Sequence, residues 1–168
     1  FSTTQLQALT TDDLNTFTTT QFQALTTAQI AGLSTTQVAN LASDDLQALT
    51  TAQVRGFSTA GMAAFSTSGI QNLTSAQVGA LTTAQVAAIS TANVAVMETT
   101  DLNALSSAQV RALSTAQVDA LTTDQLAALG TSQVAAFSTT QLQALSTGDL
   151  NTLSTSQFQA LTTAQIAG

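Results

Sequence analysis

The side chains in this sequence that could take part in chemistry are almost all hydroxyls. Ser or Thr recurs in pairs at a fixed spacing, as in the run Leu81, Thr82, Thr83, Ala84, Gln85, Val86, Ala87, Ala88. A hydroxyl becomes a nucleophile when a nearby base takes its proton. The chain has no His, no Cys and no Lys, so the ordinary activating bases are absent and an enzyme is not expected. No catalytic residue is assigned, and the hydroxyls read as capping and packing groups. The acidic pairs Asp12 with Asp13 and Asp44 with Asp45 are candidate calcium ligands. Their spacing fits neither a calcium loop nor the glycine- and aspartate-rich nonapeptide of calcium-binding solenoids. The simpler reading places them in the first turn of helices, where a carboxylate meets the positive end of the helix dipole. Phe1, Phe17, Phe57, Phe65 and Phe137, with Met62 and Met97, stand where Leu, Val or Ile usually stands, which marks them as core rather than as a binding platform. No metal site and no cofactor is expected.

The elements that would position these groups follow from a repeat. Written in blocks of eight from Phe1, the 168 residues form 21 octads without an insertion or deletion. Position 1 is always large and apolar, mostly Leu, and position 6 is always apolar. Position 3 is always Thr or Ser. Position 2 is Thr or Ser except at Ala42, Glu98 and Gly130, and position 5 is usually Gln, with Asp at Asp13, Asp45, Asp101 and Asp149. Position 8 is mostly small. A fixed short period of this kind signals an array in which each unit buries its apolar face only against neighbouring units.

Thr or Ser followed three residues later by Gln is a capping box: the hydroxyl accepts from the N3 backbone amide, and the Gln side chain accepts from the amide of the cap. With position 2 as the cap, positions 1 and 6 become the two partners of a hydrophobic staple. Each octad therefore encodes a helix start and about six helical residues before the next start. Position 3 is more uniform than position 2, which makes Ser43 an alternative cap beside Ala42. In one continuous helix, positions 1 and 6 would rotate by about 80° per octad and cover no partner face. In a flat strand they would point to opposite faces. A β-solenoid with a corner in each octad also accommodates the pattern and suits Thr and Val. The Gln, Ala and Leu content and the shortage of turn residues, 8 Gly and no Pro, weigh against it. The expected fold is an all-α solenoid of 21 short helices, one per octad, with the β-solenoid as the alternative. Such short helices do not stand alone, so coils must stack with positions 1 and 6 inside and small position 8 residues allowing close approach.

Residues 1–168 read as a single continuous array. Its irregular units are octads eight and nine, where Gly61 and Gly69 replace Gln, leave the box open and predict a bend or looser segment. The cations Arg55 and Arg111 share one octad position. Residues 137–168 repeat residues 1–32 with five differences, an offset of 17 octads, which implies growth by copying blocks of whole octads. Neither Phe1 to Ala8 nor Leu161 to Gly168 resembles a polar capping repeat. The expectation is a window from a longer array, or ends that abut other chains.

Two Arg against nine acids, a net charge of −7, exclude nucleic acid as a partner. Thr, Ser and Gln recur too often for a membrane span, and no stretch of the sequence reads as a basic, apolar leader, so none is expected within it. The tandem octapeptide, Leu then Ser or Thr, Thr, Ala, Gln, Val, Ala, Ala, resembles the arrays of very large bacterial repeat proteins often labelled adhesion or haem-utilisation proteins. That resemblance implies an extracellular or cell-surface setting. The haem half of the label is not carried over, because no His, Cys or Tyr is present to hold iron. The function expected is structural: the shaft of an adhesin, or the subunit of a surface fibre that self-associates end to end or laterally. An ice- or glycan-binding ladder built on the Thr pairs is the alternative.

Overall fold

A computed structural model describes residues 1–167, which form 21 α-helices, one per octad, and no strand. Most helices start as the capping box requires. In the helix Thr83–Ala88, the cap Thr82 has φ −75° and ψ 159°, and its hydroxyl accepts from the Gln85 amide at 3.2 Å. Gln85 Oε1 accepts from the Thr82 amide at 2.8 Å. Ile89 then returns to the extended region, φ −62° and ψ 133°, and ends the helix after six residues. Positions 1 and 2 are both extended, so two ordinary residues make the corner. No residue takes a positive φ and no peptide is cis. The chain thus turns at every octad without Gly or Pro, which accounts for the shortage of turn residues.

The departures at position 2 are instructive. Ala42 keeps the cap position of the helix Ser43–Ala48 although it has no hydroxyl, so Ser43 does not take over. The Ala42 amide instead donates to Asn15 Oδ1 at 3.3 Å, and Asn15 Nδ2 donates to the Asn40 carbonyl at 3.0 Å. At Gly130 only the return half of the box exists, the glycine amide donating to Gln133 Oε1 at 2.9 Å. Backbone geometry, repeated identically in the flanking units, is enough to keep these starts in register.

Nearly every helix packs against the third one along the chain. The helix α4 (Thr27–Ala31) lies on α7 (Thr51–Val54), α7 on α10 (Ser75–Ala80) and α10 on α13 (Thr99–Ala104), with the same step throughout. Three octads therefore make one coil, and the 21 helices make seven coils in three columns. Position 6 side chains such as Leu14, Val54, Val86 and Leu126, and position 1 side chains such as Leu49, Ile89 and Leu113, line one core running from Leu6 to Leu153. Burying each contributes about 1.5–3 kcal/mol, which the isolated helices lack. Small residues set the coil spacing. A Cβ at Gly56 would stand 2.8 Å from the Thr27 carbonyl oxygen, and one at Gly79 would stand 2.9 Å from that of Ala104.

The glycine units are neither bent nor loose. The helix α8 (Thr59–Ala64) is a full six residues, and Met62 and Ile70 are sealed from solvent. The rings of Phe57 and Phe65 meet edge to face at 5.2 Å and fill the space beside the glycines. A Cβ at Gly69 would stand 3.2 Å from Phe65 Cδ1.

Candidate functional site

The most extensive polar construction in the molecule is a ladder of glutamine side chains inside the stack. Each position 5 Gln uses its two ends differently. Its Oε1 completes the box of its own helix, while its Nε2, from the second coil onward, crosses to the preceding coil. Gln125 Nε2 donates to the carbonyls of Val94 at 2.9 Å and Met97 at 2.8 Å, which lie 31 and 28 residues earlier. Gln133 does the same with Leu102 and Leu105, both at 2.8 Å, and Gln117 with Val86 and Ile89 at 2.9 and 2.7 Å. From Gln29, which reaches the Phe1 carbonyl, to Gln165, which reaches that of Phe137, every position 5 Gln makes this crossing.

The acceptors explain the geometry. The position 6 carbonyl, in the last turn, already accepts from the next position 1 amide, as Val94 does from Met97 at 3.2 Å, and the position 1 carbonyl lies in the corner beyond the helix; the crossing Gln brings a side-chain donor to both. One Gln thus caps the start of its own helix and the end of a helix in the coil before. Many of these amides are nearly sealed from solvent, yet no enclosed side-chain oxygen or nitrogen among the described residues lacks a partner. In such surroundings a lost partner costs about 1–3 kcal/mol per orphaned group.

The same place is filled otherwise in a few units. Asn93, one methylene shorter, keeps a single crossing bond, from Nδ2 to the Phe65 carbonyl at 2.8 Å. Gly61 and Gly69 send nothing across. Asp13 and Asp149 sit in exposed boxes, and hydrogen bonds from Thr10, chiefly from its hydroxyl, hold the Asp13 carboxyl below its ordinary range. Asp45 and Asp101 are buried, each 5% exposed.

The acidic pairs are not brought together. Asp12, Asp13 and Asp44 are exposed while Asp45 faces inward, and the two pairs stand in different columns. Among the described residues there is no group of three or more His, Cys, Asp or Glu side chains that could hold a metal. Phe57, Phe65, Phe137, Met62 and Met97 are core residues. Phe1 is 72% exposed on the first coil, where it stacks on Phe17 at 5.7 Å.

The paired hydroxyls divide by role. Position 2 hydroxyls are occupied in the boxes. Position 3 hydroxyls are not: apart from Ser75 and Ser107, they make no hydrogen bond within the described chain, and most are exposed. With a position 3 residue every eight along the chain, each column carries a row of them at intervals of one coil. No helix among the described residues is long and apolar enough to cross a membrane.

The end coils differ from the interior. Phe158 and Ile166, 40% and 67% exposed, line an apolar groove with Leu142, Leu150 and Leu161. A second groove on the first coil is lined by Phe1, Phe17, Gln21, Ala24, Leu25 and Gln29.

A family model described as the ALTTAQ repeat matches the chain five times in tandem, at residues 8–43, 38–75, 61–91, 94–131 and 134–168. The hexapeptide itself occurs literally at residues 24–29, 48–53, 80–85 and 160–165. In structural terms it is the small residue, the core Leu, the cap, two solvent-side residues and the crossing Gln. No curated protein and no solved structure matches the chain.

Proposed function

The chain belongs to the ALTTAQ repeat family, and on that premise we propose that it is a non-enzymatic structural segment of an extracellular bacterial protein, the shaft of an adhesin or the subunit of a self-assembling surface fibre. The observation that carries this reading is the constant crossing register, kept by every position 5 Gln from Gln29 to Gln165. A stack whose glutamines join it by the same 28- and 31-residue step can be lengthened by adding octads without changing its cross-section. An acidic, cysteine-free and charge-poor surface suits an exposed spacer, and so does the likeness to bacterial surface arrays noted above. For the fibre version, a coil with nothing stacked on it offers glutamine donors on one side and carbonyl acceptors on the other, beside exposed apolar side chains. Such a head-to-tail contact does not close on itself and generates filaments.

Electron microscopy and solution scattering test the proposal on the purified chain and on its tandem duplication. The expected result is a rod whose length doubles at constant width, with end-to-end association rising with concentration. A duplicated chain that is compact or irregular overturns the shaft. A rod that never associates removes the fibre version.

The exposed rows of position 3 hydroxyls favour a second reading, an ice- or surface-glycan-binding ladder. Only the position 3 hydroxyls are left for it, since those at position 2 are taken. Thermal hysteresis or glycan-array binding that disappears on replacing position 3 Thr by Val along one column would support it, and silence in both assays would end it.

A further inference from the structure

In the stacked coils, the position 5 side chain meets the carbonyl oxygens that close the coil before it, and this meeting calls for a donor. Glutamine supplies one, and the shorter Asn93 still supplies one, to Phe65. Asp45 and Asp101 place at this position a side chain with the size and shape of Asn93 but, when ionised, with acceptor oxygens only. The carbonyls standing to them as Phe65 stands to Asn93, 28 residues earlier, are Phe17 and Leu73. Both aspartates are 5% exposed. Asp45 accepts no hydrogen bond from any described residue. Asp101 accepts one, from Ser75 Oγ at 2.6 Å.

No cation offsets these carboxylates. The helix of Asp45, α6 (Ser43–Ala48), packs on α3 (Thr19–Gln23) and α9 (Thr67–Gln71), neither of which carries a titratable side chain. The charged group that acts on Asp45 is Asp44 on the same helix, which is acidic. The helix of Asp101, α13, packs on α10, which has no titratable group, and on α16 (Thr123–Ala128), which has Asp124; Glu98 is its own cap residue. Asp45, with no partner of its own, keeps an opening to water, since no enclosed side-chain oxygen among the described residues lacks a partner, but an ionised carboxylate in either place offers the coil boundary acceptor oxygens only. A carboxylic acid in the same place is a donor.

We propose that Asp45 and Asp101 form two proton-gated joints: ionised, they leave the coil-to-coil ladder open at octads six and thirteen, and protonated they close it as Asn93 does. The joints would tighten the array on acidification and loosen it at neutral pH. Burial, with Asp44 beside it, raises the Asp45 carboxyl above its ordinary value. Burial also raises that of Asp101, partly opposed by the Ser75 bond and assisted by Glu98. The folded chain therefore holds protons that the unfolded chain has lost. Stability from these two groups is fully present below the ordinary carboxylate value of 3.8 and is lost as pH rises through their raised values. Asp13, whose value is lowered, works in the opposite direction.

The test compares the whole chain with Asp45→Asn, Asp101→Asn and the double variant, by thermal melting and amide exchange from pH 4 to pH 7. Relief of repulsion among the other acids is common to all of them and drops out of the difference. The double variant is expected to melt several degrees above the wild type at pH 7, with the gap closing at pH 4. Asp13→Asn is expected to melt below the wild type at pH 7. A double variant that gains nothing at pH 7, or gains equally at both, overturns the proposal. Carbon-13 titration of the wild-type carboxyls reads the joints without substitution, and midpoints at or below the ordinary value overturn it too. So would calcium chloride at neutral pH, if it raised wild-type melting as acid does and left the double variant unmoved, since the joint would then take a metal rather than a proton.

Discussion

Octads fifteen to seventeen and octads eight and nine solve the same problem with different chemistry. In the first region Gln117, Gln125 and Gln133 span adjacent coils through pairs of hydrogen bonds of 2.7–2.9 Å. In the second, Gly61 and Gly69 send nothing across, and the perpendicular rings of Phe57 and Phe65 occupy the space. The helices are nonetheless of similar length and the core is equally sealed. The fold therefore asks for filled space at each coil boundary rather than for one particular side chain.

Phe65→Ala breaks the aromatic version most severely, with an expected loss of about 3–5 kcal/mol in chemical denaturation. The polar version should lose less: Gln125→Ala removes one box bond and two crossing bonds, at a cost of roughly 2–4 kcal/mol. Gln125→Glu keeps the box but loses the donor, so its deficit at pH 7 should shrink in acid, which denaturation at two pH values would reveal. The double substitution Phe65→Leu with Gly69→Gln rewrites octad nine as the consensus. It should be more stable than the sum of the single variants by about 1 kcal/mol or more, since Gly69→Gln alone pushes against the ring. Ala42→Ser adds a missing cap hydroxyl in a unit with neither Gln nor ring, and should gain about 0.5–1 kcal/mol.

The local half of this architecture is readable in the sequence, because a capping box and a staple act within eight residues. Helix starts, the apolar positions 1 and 6, and the core placement of Met62 and Phe57 follow from that alone. The coil size does not, since it depends on how far one side chain reaches into the next layer. A signal for it was present: the box accepts Glu as readily as Gln, yet position 5 holds Gln, Asp, Gly or Asn and never Glu. A need for the amide donor accounts for that preference. The rescue of Ala42 by Asn15 was not legible, since the two lie 27 residues apart and meet only once the coil closes.

The copied block has a geometric consequence. Its offset of 17 octads is not a multiple of the three octads in a coil. The unit containing Asp12 and Asp13 stands in one column, and its later counterpart with Gly148 and Asp149 stands in another. Duplication by this step turns each copy onto a new side of the rod, so that three successive copies spread any feature of the block around the whole circumference. An array lengthened by this step would carry no single acidic or sticky flank.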